Sequence, residues 1–202
     1  NDFYPILADI FTSNSIFYCP PRDCRTLALI YNKDTFSEAN ITPEEILETW
    51  QGLREAAARL TNNSNDMHGI ALSTDFKNWS TFLYQAGASI WSESTQKMTI
   101  NCKEAQDAMN FYADLVKNGF AKLPENSNSN WASETFGQKK AAMIIEDNQI
   151  VPYLKKNFLD VRYGIKELPA GPKGMATNIF STSYALHTKT ANFNASLKLI
   201  NY

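Results

Sequence analysis

Two spacings of apolar residues alternate along this chain. Leu27 to Tyr31 is an unbroken apolar run that stops at Asn32-Lys33-Asp34, which predicts an interior strand ending in a polar turn. Shorter runs at Ile16 to Tyr18, Gly69 to Leu72, Ala142 to Ile145, Tyr163 to Ile165 and Phe180 to Leu186 predict further strands, and the polar turn Ser92 to Lys97 separates two more. Pro20-Pro21 breaks the first run, since neither proline can donate to a ladder. Between the strands the apolar positions fall at helical spacing. Phe3 to Phe11 predicts a short helix, and Thr42 predicts the cap of a helix through Leu60, with Pro43 in its first turn and Glu45 as capping-box partner. Asn78 to Ala86 predicts a helix closed by Gly87; Asn101 predicts the cap of Lys103 to Lys117, whose core stripe reads Ala105, Ala108, Met109, Tyr112, Leu115 and Val116. Further helices are expected at Trp131 to Phe136, at Asn148 to Leu154, and after a cap at Asn194, whereas Phe36 to Ile41, Asn62 to Asp66 and Asn126 to Asn130 read as loops. Helices alternating with short strands predict an α/β layer fold.

Composition narrows the function classes. With 202 residues, 44% hydrophobic and 20% charged, the chain is sized for one good core or one lobe of something larger. A net charge of −2 and no long Lys/Arg run argue against nucleic-acid binding. No apolar stretch approaches the ~20 residues that span a bilayer. The chain opens without a start methionine and stops inside the apolar pattern Leu197 to Tyr202, so a fragment of a longer protein is expected. Cys19 and Cys24 flank Pro20-Pro21 and either form a strained bridge or remain two thiols; Cys102 reads as a small buried residue. The cysteines and the distant His68 and His187 fit no zinc pattern, so no metal and no cofactor are expected. There is no Gly-x-Ser-x-Gly and no phosphate-cradling glycine loop, and Glu44, Glu45 and Glu134 read as helix-start acids, so an enzyme is not expected. A carboxylate-pair glycosidase would need two acids facing each other across one cleft.

The run Thr26 to Phe36 (TLALIYNKDTF) and the run Glu134 to Gln149 (ETFGQKKAAMIIEDNQ) together resemble the second lobe of the bacterial extracellular solute-binding proteins, the sugar receptors of ABC importers. TWQGLREAAARLT, FLYQAGASIW, EAQDAMNFYADLVKNG and VRYGIKELPAGPKG lie between and after them in the family's order. The resemblance covers nearly the whole chain. It implies a periplasmic-binding-protein-like type II fold, with residues 1–25 as a crossover from a first lobe, 26–180 as the second lobe, and 181–202 as a return strand and the start of a helix. It also implies a carbohydrate ligand held by hinge closure, an ABC permease as partner, a monomer, no nucleic acid, and a periplasmic or extracellular, membrane-anchored location. A repurposed lobe that acts as a sensor or partner-binding domain is the alternative.

In α/β sheets ligands gather at strand carboxyl ends and helix N-termini. A sugar needs planar polar groups for its hydroxyl rim and an aromatic ring for its apolar face. Asp23, Arg25 and Thr26 flank the first crossing, and either line the cleft or form a surface turn with an ion pair. Asn78 and Trp79 follow a strand; Trp79 either stacks on a sugar or anchors the core. Asn148 and Gln149 follow the Ala142 strand, where the family commonly reads Gly-Asn-Trp or Gly-Pro-Trp, so Gln149 stands in place of a stacking tryptophan. Trp79, Trp91, Trp131, Tyr153 or Phe180 then takes over that platform, or the ligand is not a sugar ring, or binding has decayed. Lys139 replaces the family's glycine, and because a left-handed lysine costs about 1–2 kcal/mol the local turn is expected to differ. Asn178, Phe180 and Ser181 complete the candidate contacts where the chain returns. The sequons at Asn40, Asn62, Asn78 and Asn194 are chance products of an Asn- and Ser-rich chain.

Overall fold

The N-terminal apolar stretch folds as helix α1 (Pro5–Ile10), with Pro5 in its first turn, where a missing N–H costs nothing. A hairpin follows, β1 (Thr12–Ser13) against β2 (Ile16–Phe17). Its two turn residues, Asn14 and Ser15, both hold positive φ (50° and 62°), as the primed hairpin turns require. The computed structural model describes residues 3–126 and 129–200. The chain divides into two units, Thr26–Asn178 and Asn1–Arg25 with Ile179–Tyr202. Of the expected Asn126 to Asn130 loop, Ser127 and Asn128 lie outside the described residues.

The longest apolar run is β3 (Arg25–Asn32), with Leu27, Leu29, Ile30, Tyr31 and Asn32 all buried. The chain does not continue into a loop. Asn32 accepts through Oδ1 from the Asp34 and Thr35 N–H groups (2.9 and 3.2 Å) and starts helix α2 (Lys33–Glu38). The expected single helix from Thr42 is two: α3 (Pro43–Ile46) and α4 (Trp50–Leu60). Thr42 makes no side-chain cap, while Thr49 accepts from the Gly52 N–H at 3.2 Å. The interruption has a backbone cause. Ala170 N–H donates to Glu48 O (2.8 Å) and Ala170 O accepts from Trp50 N–H (3.1 Å), a short strand-like bridge that occupies groups a continuous helix would use.

Next come β4 (His68–Ala71), α5 (Phe76–Gln85), the hairpin β5 (Trp91–Ser92) with β6 (Lys97–Met98), and α6 (Lys103–Lys117). Helix α6 has the expected span and the expected end at Asn118-Gly119, where Gly119 takes φ +73°. Its N-cap position is Cys102, not Asn101, and Met109 is exposed rather than in the core. Likewise α5 begins two residues before Asn78, capped by Asp75 Oδ1 on the Asn78 N–H (3.0 Å). Then follow β7 (Ala121–Lys122), α7 (Ala132–Gly137), β8 (Ala141–Asp147), α8 (Ile150–Asn157) and β9 (Tyr163–Lys166). The last strand is β10 (Ile179–Phe180), shorter than the run Phe180 to Leu186, and Asn194 lies inside the last helix, α9 (Phe193–Ile200), rather than capping it.

Within Thr26–Asn178 the sheet order is β3-β8-β4-β7, with β9 on the other edge of β3. β3 runs antiparallel to β8 (Leu27 opposite Asp147) and to β9, while β4 runs parallel to both β8 and β7. These directions place the carboxyl ends of β4, β7 and β8 and the start of β3 along one edge of the sheet. Ile30, Ala71 and Ile144 pack with Phe136, Ile150 and Leu154 from α7 and α8. Phe82, Leu83, Leu53 and Leu115 are fully buried as well; each such side chain contributes about 1.5–3 kcal/mol over exposure. Helix α4 lies so close on β4 that a Cβ at Gly69 would stand 2.1 Å from the Ala57 carbonyl oxygen. Among the described residues no helix is long and apolar enough to cross a membrane. All three cysteines are unbridged, and Cys19 Sγ lies 3.0 Å from Ser183 Oγ.

Candidate functional site

The sheet edge that collects three strand ends also collects polar side chains. Lys77, in the first turn of α5, donates to Glu146 Oε1 at 2.8 Å and stands 3.7 Å from Asp147 Oδ2. Burial alone would pull the Lys77 ammonium pKa down, but the Glu146 hydrogen bond and the charges of Glu146, Asp147 and Asp75 outweigh it and hold the lysine above its ordinary range. Glu146 Oε2 lies 3.5 Å from Ser133 Oγ at the start of α7, and Glu146 Oε1 accepts from the Asp147 N–H. Asp147 Oδ1 in turn accepts from the Gln149 N–H (2.9 Å), turning the chain from β8 into α8 and leaving Asn148 and Gln149 exposed. Beside them Thr74 Oγ1 meets Glu125 Oε1 at 3.4 Å. Tyr112 O–H donates to the Ser73 carbonyl (2.7 Å); burial and the Asp75 charge push this phenol upward, so it stays a neutral donor.

The expected contact residues divide between the two units. Six of them, Thr26, Asn78, Trp79, Asn148, Gln149 and Asn178, lie in Thr26–Asn178. Asn78 is 2% exposed; its Nδ2 lies 3.2 Å from the Ile145 carbonyl and 3.4 Å from Ser73 Oγ, tying α5 to β8. Asn178 Nδ2 sits within 3.0 Å of Lys77 O, Ser80 Oγ and Thr81 Oγ1, so it binds the first turns of α5. Thr26 Oγ1 pairs with Thr177 Oγ1 at 3.3 Å at the start of β3, opposite the end of β8. Trp79 is half-buried against the Leu83, Ala88 and Ala105 cluster and against Phe76 (5.5 Å between ring centres). Asp23, Arg25, Phe180 and Ser181 belong to the other unit. There Asp23 ties the N-terminal segment to the returning one: its Oδ1 accepts from Thr182 N–H and its carbonyl from Ser181 O–H, both at 2.7 Å, with Arg25 Nε 3.6 Å from its Oδ2. The Thr182 N–H holds the Asp23 carboxyl below its ordinary range.

A cavity of about 680 Å3 opens beside the start of β3, between Thr26, Leu27, Ile165, Leu168, Met175 and Thr177. Thr26 is its one lining residue from the expected contacts, and its walls are mainly apolar. Sequence reasoning missed Lys77, Glu125 and Glu146. Glu146 carried a signal, since it stands at the end of the apolar β8 run just before Asp147-Asn148-Gln149. Glu125 carried none, because β7 is two residues long.

The family model for bacterial extracellular solute-binding proteins matches residues 1–202. The chain belongs to that family. This solute-binding protein is 25% identical over 180 residues to YcjN of Escherichia coli (strain K12), described as an ABC transporter periplasmic-binding protein, an alignment covering 85% of the chain and 40% of YcjN. It is similar in structure to the Listeria monocytogenes substrate-binding protein Lmo0181, solved in complex with cycloalternan (TM-score 0.89, 21% identity, 98% of this chain and 52% of that one). It is also similar to the GacH receptor of Streptomyces glaucescens, solved unliganded and with acarbose (TM-score 0.87, 24% identity, 100% of this chain and 52% of that one). These likenesses establish the periplasmic-binding-protein-like type II fold. The solute-binding protein chain thus spans about half the length, or less, of the relatives it matches.

Proposed function

We propose that this chain forms one ligand-binding lobe of an ABC-importer receptor for a sugar or oligosaccharide. The observation that carries this reading is the meeting, at one sheet edge, of Thr26, Thr74, Lys77, Glu125, Glu146 and the exposed Asn148 and Gln149. Such an edge offers closely spaced donors and acceptors to a hydroxylated rim. Asn78 and Asn178 act in support, fixing α5 to β8 and to the returning chain. The receptor relatives crystallised with cycloalternan and acarbose favour a saccharide. In this reading a second lobe closes by hinge motion over the ligand, excludes water, and presents the closed form to a membrane permease outside the cytoplasm. The receptor works as a monomer and makes no covalent step. The polar Gln149 where the family commonly carries a tryptophan favours one further reading, a lobe reused as a sensor domain.

Calorimetry on the longest open reading frame that contains this chain, against mono-, di- and oligosaccharides, tests the proposal. Micromolar binding to at least one neutral saccharide is the expected result. A panel without heat, under conditions where the protein is folded, would refute it.

A further inference from the structure

The cavity beside the start of β3 has no role in hydroxyl recognition, yet it adjoins the polar edge. Its volume, about 680 Å3, falls within the about 300–1,000 Å3 of small-molecule sites. Of its lining residues, Leu27 and Leu168 are buried, while Ile165 and Met175 stand 56% and 60% exposed. A methionine at the mouth gives an adaptable apolar surface. Lys166 also lines the cavity, but its ammonium is held by Glu48 at 2.6 Å. The wall is tied in place. Thr177 Oγ1 donates to the Leu27 carbonyl at 3.0 Å and lies 3.3 Å from Thr26 Oγ1, which fixes this part of the returning chain to β3. Thr26 belongs both to this wall and to the polar edge. The strand register makes the same connection. Ala28, another lining residue, stands opposite Glu146, and Leu27 stands opposite Asp147. Opposed residues share a face of the sheet, with Cβ atoms about 4.5–5.5 Å apart. The Ala28 wall therefore lies directly beside the carboxylate that pairs with Lys77 and reaches Ser133. An apolar hollow continuous with a row of donors and acceptors suits one ligand that carries both chemistries.

Resting on the reading above, we propose that the solute is an amphiphilic glycoside: its saccharide lies on the polar edge, and its apolar aglycone fills the cavity beside β3. The cavity then selects among saccharides by what is attached to them.

Calorimetry on the longest reading frame compares the methyl and octyl glycosides of the saccharide that the parent protein binds best, with the octyl compound below its micellar concentration. Each methylene moved from water into an apolar site strengthens binding about fourfold, so the octyl glycoside is expected to bind at least about tenfold tighter. Met175→Trp and Ile165→Trp each place a bulky ring at an exposed position of the rim, where folding tolerates it. Both should cut the octyl-to-methyl ratio to about threefold or less. Leu159→Ser, at an apolar position outside the cavity that is 85% exposed, should leave the ratio as it is. Peroxide oxidation read by mass spectrometry gives a second measure. Met175 should oxidise as readily as Met98, which is similarly exposed at 63%, and the octyl glycoside should protect Met175 alone. Equal affinity for the two glycosides, or an octyl preference that both tryptophan variants keep, overturns the aglycone site and leaves the receptor reading intact. So does a Met175 shielded from peroxide in the ligand-free reading frame, since chain beyond these residues would then fill the cavity. A parent protein that binds neither saccharide nor glycoside overturns both.

Discussion

At the residue scale Lys139 is the clearest case of a sequence departure that the fold absorbs. In the turn after α7, Lys139 holds φ +58°, in the left-handed region. Its N–H donates to Phe136 O (3.0 Å) and the Lys140 N–H to Thr135 O (3.1 Å), the paired bonds of a Schellman cap, with lysine in the position glycine usually fills. The Lys139 ammonium finds Asp160 at 2.7 Å, which raises the lysine pKa, but both groups are open to solvent, so the ion pair adds little. The left-handed backbone costs about 1–2 kcal/mol for a side-chain-bearing residue, and glycine returns about 0.5–1 kcal/mol of that as lost chain entropy. Lys139→Gly in an Asp160→Asn background is therefore expected to raise unfolding free energy by about 0.5–1 kcal/mol in urea titrations, and a loss of stability would show that the cap is not strained. Asn78 shows the opposite problem. It reads as a ligand contact because it is polar and follows a strand, yet it is buried and its amide nitrogen is taken up by Ser73 and Ile145. Sequence marks where polar groups are needed at a strand end without marking whether they face the solute or the backbone.

At the scale of elements, a sustained local period was legible, whereas features fixed by one side chain or by a distant partner were not. Helix α6 emerged with its stated span because fifteen residues carry several turns of period 3.6, whereas β7 is too short to show any period. Helix α2 was hidden because its start depends on one side chain, Asn32, and only Phe36 of its six residues is buried. The break between α3 and α4 was hidden for another reason. Its cause is Ala170, more than a hundred residues away, and local capping signals at Thr42 outweighed those at Thr49 on paper. The two threonines give a direct check. Thr49→Ala removes a bonded N-cap and should cost about 1 kcal/mol, while Thr42→Ala, which removes no cap bond, should change stability by less than about 0.5 kcal/mol. Equal costs in paired denaturation curves would mean that the first helix, not the second, needs its threonine. The candidate site shared this pattern of legibility: the ends of β4 and β8 were readable as polar tips, but the partnership of Lys77 with Glu146 joins residues 69 positions apart and left no local trace.

For the whole molecule, the distribution of buried side chains argues that the two units differ in kind. Leu7 is the one buried large apolar residue described outside Thr26–Asn178, and the rest of the core lies within it. The terminal segments instead expose Tyr4, Ile6, Ile16, Phe17, Tyr18, Phe193 and Leu199. An exposed apolar set of that size is normally covered by something else, and the segments bury too little to offset their own ordering entropy. Residues 26–178, by contrast, hold the sheet from β3 to β9 with helices packed against it and bury a core sufficient for independent folding. A fragment of residues 26–178 is therefore expected to unfold in one cooperative transition with helix content matching its share of the chain, and to resist limited proteolysis, while the 202-residue chain is cut first within its two ends. Early cleavage inside β3–β8, or a fragment that melts without cooperativity, would show that the terminal segments are needed to complete that core.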